Sequence, residues 1–195
     1  MLDIILVLVG YVVGSISCAI VVCRAIGAPD PRSTGSRNPG ATNVLRVAGK
    51  KAAAATLVGD SLKGLLPLLA GRWLGADHAT LAIIGMAAFI GHLFPVFFGF
   101  RGGKGVATLI GVLLGLAWPL GLIFIAIWLL MAKVFRISSL SALIASVMMP
   151  PVGYAFALPP PYLVTISVMV VLLLWRHRSN IRNLLNGGES RIGNR

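Results

Sequence analysis

Four polar stretches in this chain hold residue types that grip anions, and none of the four contains a carboxylate. They read STGSRNPGATNVLR (33–46), GFRGGKGVAT (99–108), RISSLS (136–141) and RHRSNIRNLL (176–185). In the first, Gly35 and Gly40 permit backbone that turns successive N–H groups to one side, a concavity that binds phosphate oxygens without a side-chain charge. Ser36, Asn38, Thr42 and Asn43 can add hydrogen bonds or hold the loop's shape, Pro39 stiffens it, and Arg46 can fork two donors onto a phosphate. The second stretch is not a nucleotide P-loop: Phe98 stands at the first glycine position, and Gly105 follows Lys104 where a hydroxyl residue is required. Its physics survives the failed spacing. A glycine-rich turn opening a helix brings free N–H groups, the positive end of the helix dipole and Lys104 together.

Other chemistries are poorly supplied. The chain has five acidic residues, Asp3, Asp30, Asp60, Asp77 and Glu189, which argues against paired-carboxylate catalysis and a carboxylate-bound metal. Cys18 and Cys23 are too few and too poorly spaced for structural zinc. No metal and no cofactor are expected. His177 sits among Arg176, Arg178 and Asn180, and neighbouring cations favour its neutral form. Asp60 and Lys63, three apart in an apolar run, are either a functional intramembrane pair or a structural ion bridge. His92, in GHLFPVFF, reads as a packing or loop-orienting histidine.

Positioning these groups falls to membrane helices. Hydrophobic residues make up 57% of the 195, and mean hydropathy is +0.93. A polytopic, all-α membrane protein follows, organised as one domain over 1–195. The formal charge of +12 is read as loop charge that fixes orientation, so nucleic acid is not an expected partner. Apolar runs fall near 4–23, 52–74, 79–99, 105–133, 139–157 and 162–175. The basic cluster after the first run puts that loop in the cytoplasm and the N-terminus outside. A single crossing by 105–133 would strand two basic clusters outside, whereas a double crossing broken at Trp118-Pro119 keeps them in. The expectation is seven transmembrane segments, some short or broken, with the C-terminus cytoplasmic. Only Lys63 and Arg72 then lie away from the cytoplasmic side.

In this order, GSRNPGATNVLR, DSLKG, GHLFPVFFGFRGGKGVAT and RHRSNIRNLL closely resemble the bacterial integral-membrane glycerol-3-phosphate acyltransferases that use acyl phosphate, the PlsY family. The resemblance covers essentially the whole chain. It implies a seven-helix fold and transfer of a fatty acyl group from acyl phosphate to the 1-hydroxyl of sn-glycerol 3-phosphate, giving lysophosphatidic acid and phosphate. Acyl phosphate, glycerol 3-phosphate and membrane lipid are the implied partners, and the inner membrane of a bacterial cell the implied location, with a monomer expected. Carried over, the catalytic group is Ser36, Arg46, Lys104, His177 and Asn180. The backbone from Gly35 through Asn38, Gly40, Ala41 and Thr42 to Asn43 resembles an acyl-phosphate cradle. Gly102, Gly103 and Gly105 come from the second motif, and Ser141 is matched from RISSLS, where Ser138 and Ser139 compete with it. One departure is Arg37, where the family commonly has glycine. An anion transporter is the alternative from another class, but the outer loops GADHAT and FALPPPY are nearly bare of polar groups. The His-x4-Asp signature of acyltransferases that use a thioester donor is absent.

Overall fold

The computed structural model describes residues 1–193, all of whose regular elements are helical. In chain order they are α1 (Leu2–Gly14), α2 (Cys18–Ala25), α3 (Ala41–Trp73), α4 (His78–Leu93), α5 (Val106–Leu116), α6 (Trp118–Phe135), α7 (Ser138–Val147), α8 (Met149–Ala155), α9 (Pro160–Arg176) and α10 (Arg178–Leu185). A single 3-10 turn, Val96–Phe98, precedes the glycine-rich loop. The fold is inside-out by the standard of a water-soluble protein. Ile4, Leu8, Val58, Leu129, Val164 and Val171 all face outward, as apolar helices in lipid do.

The apolar runs map onto four helices or helix pairs long enough to cross a membrane, Ala41–Trp73, His78–Phe98, Trp118–Phe135 and Ser138–Ala155. Two more are bent, by 45° between α1 and α2 and by 60° between α9 and α10. The long run 105–133 is split, as its proline required, at Ala117, whose φ of −153° and ψ of 95° interrupt the helix. That leaves α5 at 11 residues, about 16 Å at roughly 1.5 Å per residue. The carbonyls freed at this break are not abandoned: Arg72 donates to Gly115 O at 2.9 Å and Leu116 O at 3.2 Å.

Helices meet through small residues, since close backbone packing replaces the hydrophobic drive in lipid. Across α3 and α5, a Cβ added to Gly64 would sit 2.4 Å from Thr108 O, and one on Gly111 would sit 1.9 Å from Ser61 O. The α1–α4 pair repeats the device with Gly14 and Gly91. The main core gathers Leu68, Phe89, Leu113, Phe124, Ile166 and Met169, all wholly or almost wholly buried.

The first polar motif is less of a loop than its composition suggests. Helix α3 begins at Ala41, with Gly40 as its N-cap, and kinks at Gly49, where φ is 83°. Thr42, Asn43 and Arg46 therefore lie on a helix that leads into the membrane span.

Candidate active site

Asn43 builds the first half of the site. Its side-chain nitrogen donates to Pro31 O at 2.8 Å and Thr34 O at 3.0 Å, and its oxygen accepts from Ser36 N–H at 2.8 Å. One buried amide thus ties three points of the preceding loop to the start of α3. Gly35, at φ 60°, must lack a side chain, because a Cβ there would meet Asn43 Oδ1 at 2.2 Å. Two positions on, Arg37 holds φ at 57° in the same left-handed region, a conformation that glycine adopts without strain. The loop is anchored outward by Arg32, which pairs with Asp30 at 2.7 Å and donates to Phe98 O at 3.3 Å. That Arg32 guanidinium, through its hydrogen bonds, holds the Asp30 carboxyl below the usual carboxylate range.

The second motif is seated on the end of α4. Gly103 N–H donates to His92 O at 3.2 Å, and from the opposite side Arg176 donates to Gly103 O at 3.1 Å and Gly102 O at 2.8 Å. Lys104, the next residue, donates its ammonium to Asn180 Oδ1. Burial pushes its pKa down from the ordinary lysine value; the Arg176 and Arg46 charges push the same way, and Glu189 opposes them.

His177 lies past the end of α9, where the chain bends into α10. Its Nδ1 is 2.9 Å from Leu173 O. A carbonyl can only accept, so Nδ1 carries the hydrogen and Nε2 keeps the lone pair. The ring is almost wholly buried. Burial lowers its pKa to about 4 against the help of that hydrogen bond, with the Lys104 charge adding to the lowering. It is neutral at physiological pH.

These elements close around one cavity of about 750 Å³. Ser36, Asn38, Gly40, Ala41, Thr42, Asn43, Arg46, Lys104, Gly105, His177 and Asn180 all line it. Its far wall is apolar, built from Leu57, Leu62 and Leu65 of α3, Ile110 and Leu114 of α5, and Ile125 and Trp128 of α6. The first-turn amides of Ala41 and Thr42 have no intrahelical acceptor and sit at the positive end of α3.

Four residues expected at the ligand do not line the cavity. Gly35 is turned to Asn43, as above. Gly102 and Gly103 are buried against α4, where a Cβ on Gly102 would come within 2.0 Å of His92 O. Their backbone supports Lys104, and the N–H of Gly103 is already spent. Ser141 is fully buried and donates back to Ile137 O at 2.8 Å. Its neighbours Ser138 and Ser139 line the cavity instead, and Ser138 Oγ stands 3.1 Å from Thr42 Oγ1. Asn43 lines the cavity, but its side chain is engaged in holding the loop.

A carboxylate is present after all. The segment after α10 folds back so that Glu189 Oε1 accepts from Asn180 Nδ2 and from Ser139 Oγ, each at 2.7 Å, while Ser190 Oγ accepts from Arg46 at 2.7 Å. Ile192 N–H continues the return onto Arg136 O at 2.6 Å. The only sequence signal was a lone acid in a basic C-terminal segment. Among the described residues no group of His, Cys, Asp and Glu is placed to hold a metal ion.

The sequence pattern of the family described as glycerol-3-phosphate acyltransferase matches residues 4–187. A glycerol-3-phosphate acyltransferase of Methylococcus capsulatus is 52% identical over 94% of this chain and 92% of its own length. One from Thioalkalivibrio sulfidiphilus is 53% identical over 97% and 94%. Among solved structures, the crystal structure of PlsY (YgiH), an integral membrane glycerol 3-phosphate acyltransferase, in its glycerol 3-phosphate form superposes with a TM-score of 0.94 at 38% identity, covering 99% of this chain and 96% of that one. The lysophosphatidic acid form gives 0.92 at 37% identity, over the same shares of the two chains. Sequence along almost the entire length and fold agree: this chain belongs to the glycerol-3-phosphate acyltransferase family, integral membrane enzymes of phospholipid synthesis.

Proposed function

We propose that this protein transfers a fatty acyl group from acyl phosphate to the 1-hydroxyl of sn-glycerol 3-phosphate at the cytoplasmic face of a bacterial inner membrane. The observation that carries this reading is a single cavity with cations and helix-end amides on one wall and aliphatic side chains on the other. An acyl phosphate has that same polarity: an anionic head and a lipid tail. Glycerol 3-phosphate is named by the structural relative's glycerol 3-phosphate form, and lysophosphatidic acid by its product form.

The chemistry needs no enzyme nucleophile, because acyl phosphate is an activated anhydride. The 1-hydroxyl oxygen attacks the acyl carbon, the bond from that carbon to the phosphate oxygen breaks, and inorganic phosphate leaves with the bonding pair. Arg46 stabilises the charge gathering on the leaving phosphate, with the amides of Ala41 and Thr42 beside it, and Lys104 binds the phosphate of glycerol 3-phosphate. Ser36 and Asn180 fix the two substrates relative to each other, which supplies the orientation component of the acceleration. The hydroxyl proton passes to a substrate phosphate. His177 accepts a hydrogen bond through Nε2 from the acceptor's 2-hydroxyl, which aligns the neighbouring 1-hydroxyl for attack.

The topology proposed with this function has seven segments: the four long spans, the two bent pairs and the short α5. The N-terminus lies outside and the C-terminus inside, so all four polar motifs face the cytoplasm. A monomer encloses the cavity. Purified protein given acyl phosphate and glycerol 3-phosphate should release one phosphate per lysophosphatidic acid formed. Equal turnover with an acyl thioester in place of acyl phosphate would refute the donor assignment.

A further inference from the structure

A buried charged cluster within the membrane takes no part in the chemistry above. Asp60 and Lys63 of α3 form an ion pair of 2.8 Å with both side chains almost fully buried. His92, near the end of α4, brings Nδ1 within 3.7 Å of the same Asp60 oxygen. None of the three lines the cavity. Lys63 has a further structural duty, because it donates to Ile16 O at 2.6 Å, in the break between α1 and α2. His92 has no such alibi: its Nδ1 lacks a hydrogen-bond partner among the described residues.

The other edge of the His92 ring meets the phosphate loop. A Cβ built on Gly103 would lie 2.3 Å from His92 Nε2 and 2.8 Å from Cε1, so the ring and the loop backbone are in direct contact. The backbone bond from Gly103 N–H to His92 O fixes the same register. Arg176 holds the loop from the opposite side through the carbonyls of Gly102 and Gly103. The loop is therefore clamped between an imidazole below and a guanidinium above, immediately before Lys104. The buried Asp60 carboxylate, 3.7 Å from Nδ1, favours by charge the ring orientation that turns Nδ1 toward it.

We propose that His92, oriented by Asp60, is a positioning residue for glycerol 3-phosphate binding, acting through Gly103 to set where the Lys104 ammonium stands; this rests on reading Lys104 as a phosphate ligand. Misplacement of a binding group by about 1 Å can cost up to about a hundredfold. Its signature is therefore a change in substrate affinity, whereas a merely structural role lowers the yield of folded enzyme and leaves KM alone.

The test compares His92→Phe, which keeps the ring and removes the link to Asp60, with His92→Gln, which keeps a polar group able to reach the carboxylate. The expected result is a KM for glycerol 3-phosphate raised about tenfold in His92→Phe, less in His92→Gln, with kcat within about threefold of wild type. In wild-type protein carrying 15N-labelled histidine, saturating glycerol 3-phosphate should also shift the His92 ring resonances, assigned against His78→Gln and His177→Gln. This measurement stands whether or not the His92 variants fold. A wild-type KM in folded His92 variants, or an unshifted ring, overturns the proposal. Lys104→Ala is the control: if its KM is unchanged, the phosphate-loop reading fails and takes this inference with it. A raised KM in Lys104→Ala, with the His92 signatures absent, sinks this inference alone.

Discussion

Lys104, in the glycine-rich loop before α5, and Asn180, on α10, are joined side chain to side chain: the ammonium donates to Asn180 Oδ1. That bond fixes the amide's orientation, leaving Nδ2 to donate to Glu189 at 2.7 Å. Asn180 is therefore a polar relay between a cation and an anion, and neither carboxylate nor aliphatic side chain can replace it alone.

Exchanging the relay's polarity tests it. Asn180→Asp places two carboxylates in contact and should lower kcat/KM by more than about tenfold. Adding Glu189→Gln restores both the donor–acceptor order and the net charge, so the double variant should recover part of the loss. A coupling of at least about 1 kcal/mol in the double-mutant cycle is expected. Strict additivity would mean that the two residues act separately.

Arg46→Ala and Lys104→Ala should each lower kcat/KM by more than about tenfold, since one charge-assisted hydrogen bond is worth roughly 1.5–3 kcal/mol. Lys104→Arg should recover only part, because a planar fork does not fit where a compact ammonium bonds one amide oxygen. Steady-state kinetics on detergent-purified, monodisperse protein check this. Wild-type kinetics in both alanine variants would reduce the two cations to topology anchors.

The orientation has its own test. With Cys18 and Cys23 replaced, Ser33→Cys and Ser138→Cys should both resist a membrane-impermeant thiol reagent in intact cells. Labelling of the second alone would mean that α5 and α6 together cross once and the segment count is wrong.

Arg37 carries a smaller prediction. Its left-handed backbone, φ 57°, costs a residue with a Cβ roughly 1–2 kcal/mol, and a β-branched one more. Arg37→Gly should therefore match or exceed wild-type thermal stability, while Arg37→Val should fall below it. Thermal unfolding in detergent reads the difference. A Val variant as stable as the Gly variant would show that the loop backbone rearranges freely.

Much of this architecture was legible because lipid simplifies the code. Apolar runs marked the spans, and Trp118-Pro119 marked the break between α5 and α6. Lys63 and Arg72, the two cations that violated the charge rule, turn out to have partners: Asp60 for one and the carbonyls at the end of α5 for the other. The polar motifs were legible as residue types, yet their division of labour was not. Whether a glycine serves a ligand or a neighbouring helix depends on what lies across from it, and nothing in GGKG announces that His92 lies across from Gly103. Ser141 and Ser139 are alike in composition and two positions apart. Only helical phase sends one to the backbone of its own turn and the other to Glu189. Glu189 itself was hidden because its partners, Asn180 and Ser139, are brought to it by the return of the chain after α10.

The role of His177 gives the sharpest pH prediction. Burial lowers its pKa to about 4, below the ordinary value near 6.5. A depressed histidine pKa means that the unfolded chain binds the proton first. Stability from the neutral ring is complete above about 6.5 and declines as pH falls from there towards 4. Activity should divide differently. A phosphate monoester loses its second proton near pH 6, so substrate-assisted proton transfer puts the acid limb of kcat/KM close to 6, well above the ionisation of His177. A base role for His177 puts that limb near 4. Replacing glycerol 3-phosphate by its phosphonate analogue, whose second ionisation lies higher, should move the limb upward with the substrate. His177→Asn, which can still accept a hydrogen bond from the acceptor's 2-hydroxyl, should keep the limb in place and turn over faster than His177→Ala. If the limb ignores the phosphonate and both variants are equally inactive while folded, His177 removes the proton itself and the substrate phosphate does not.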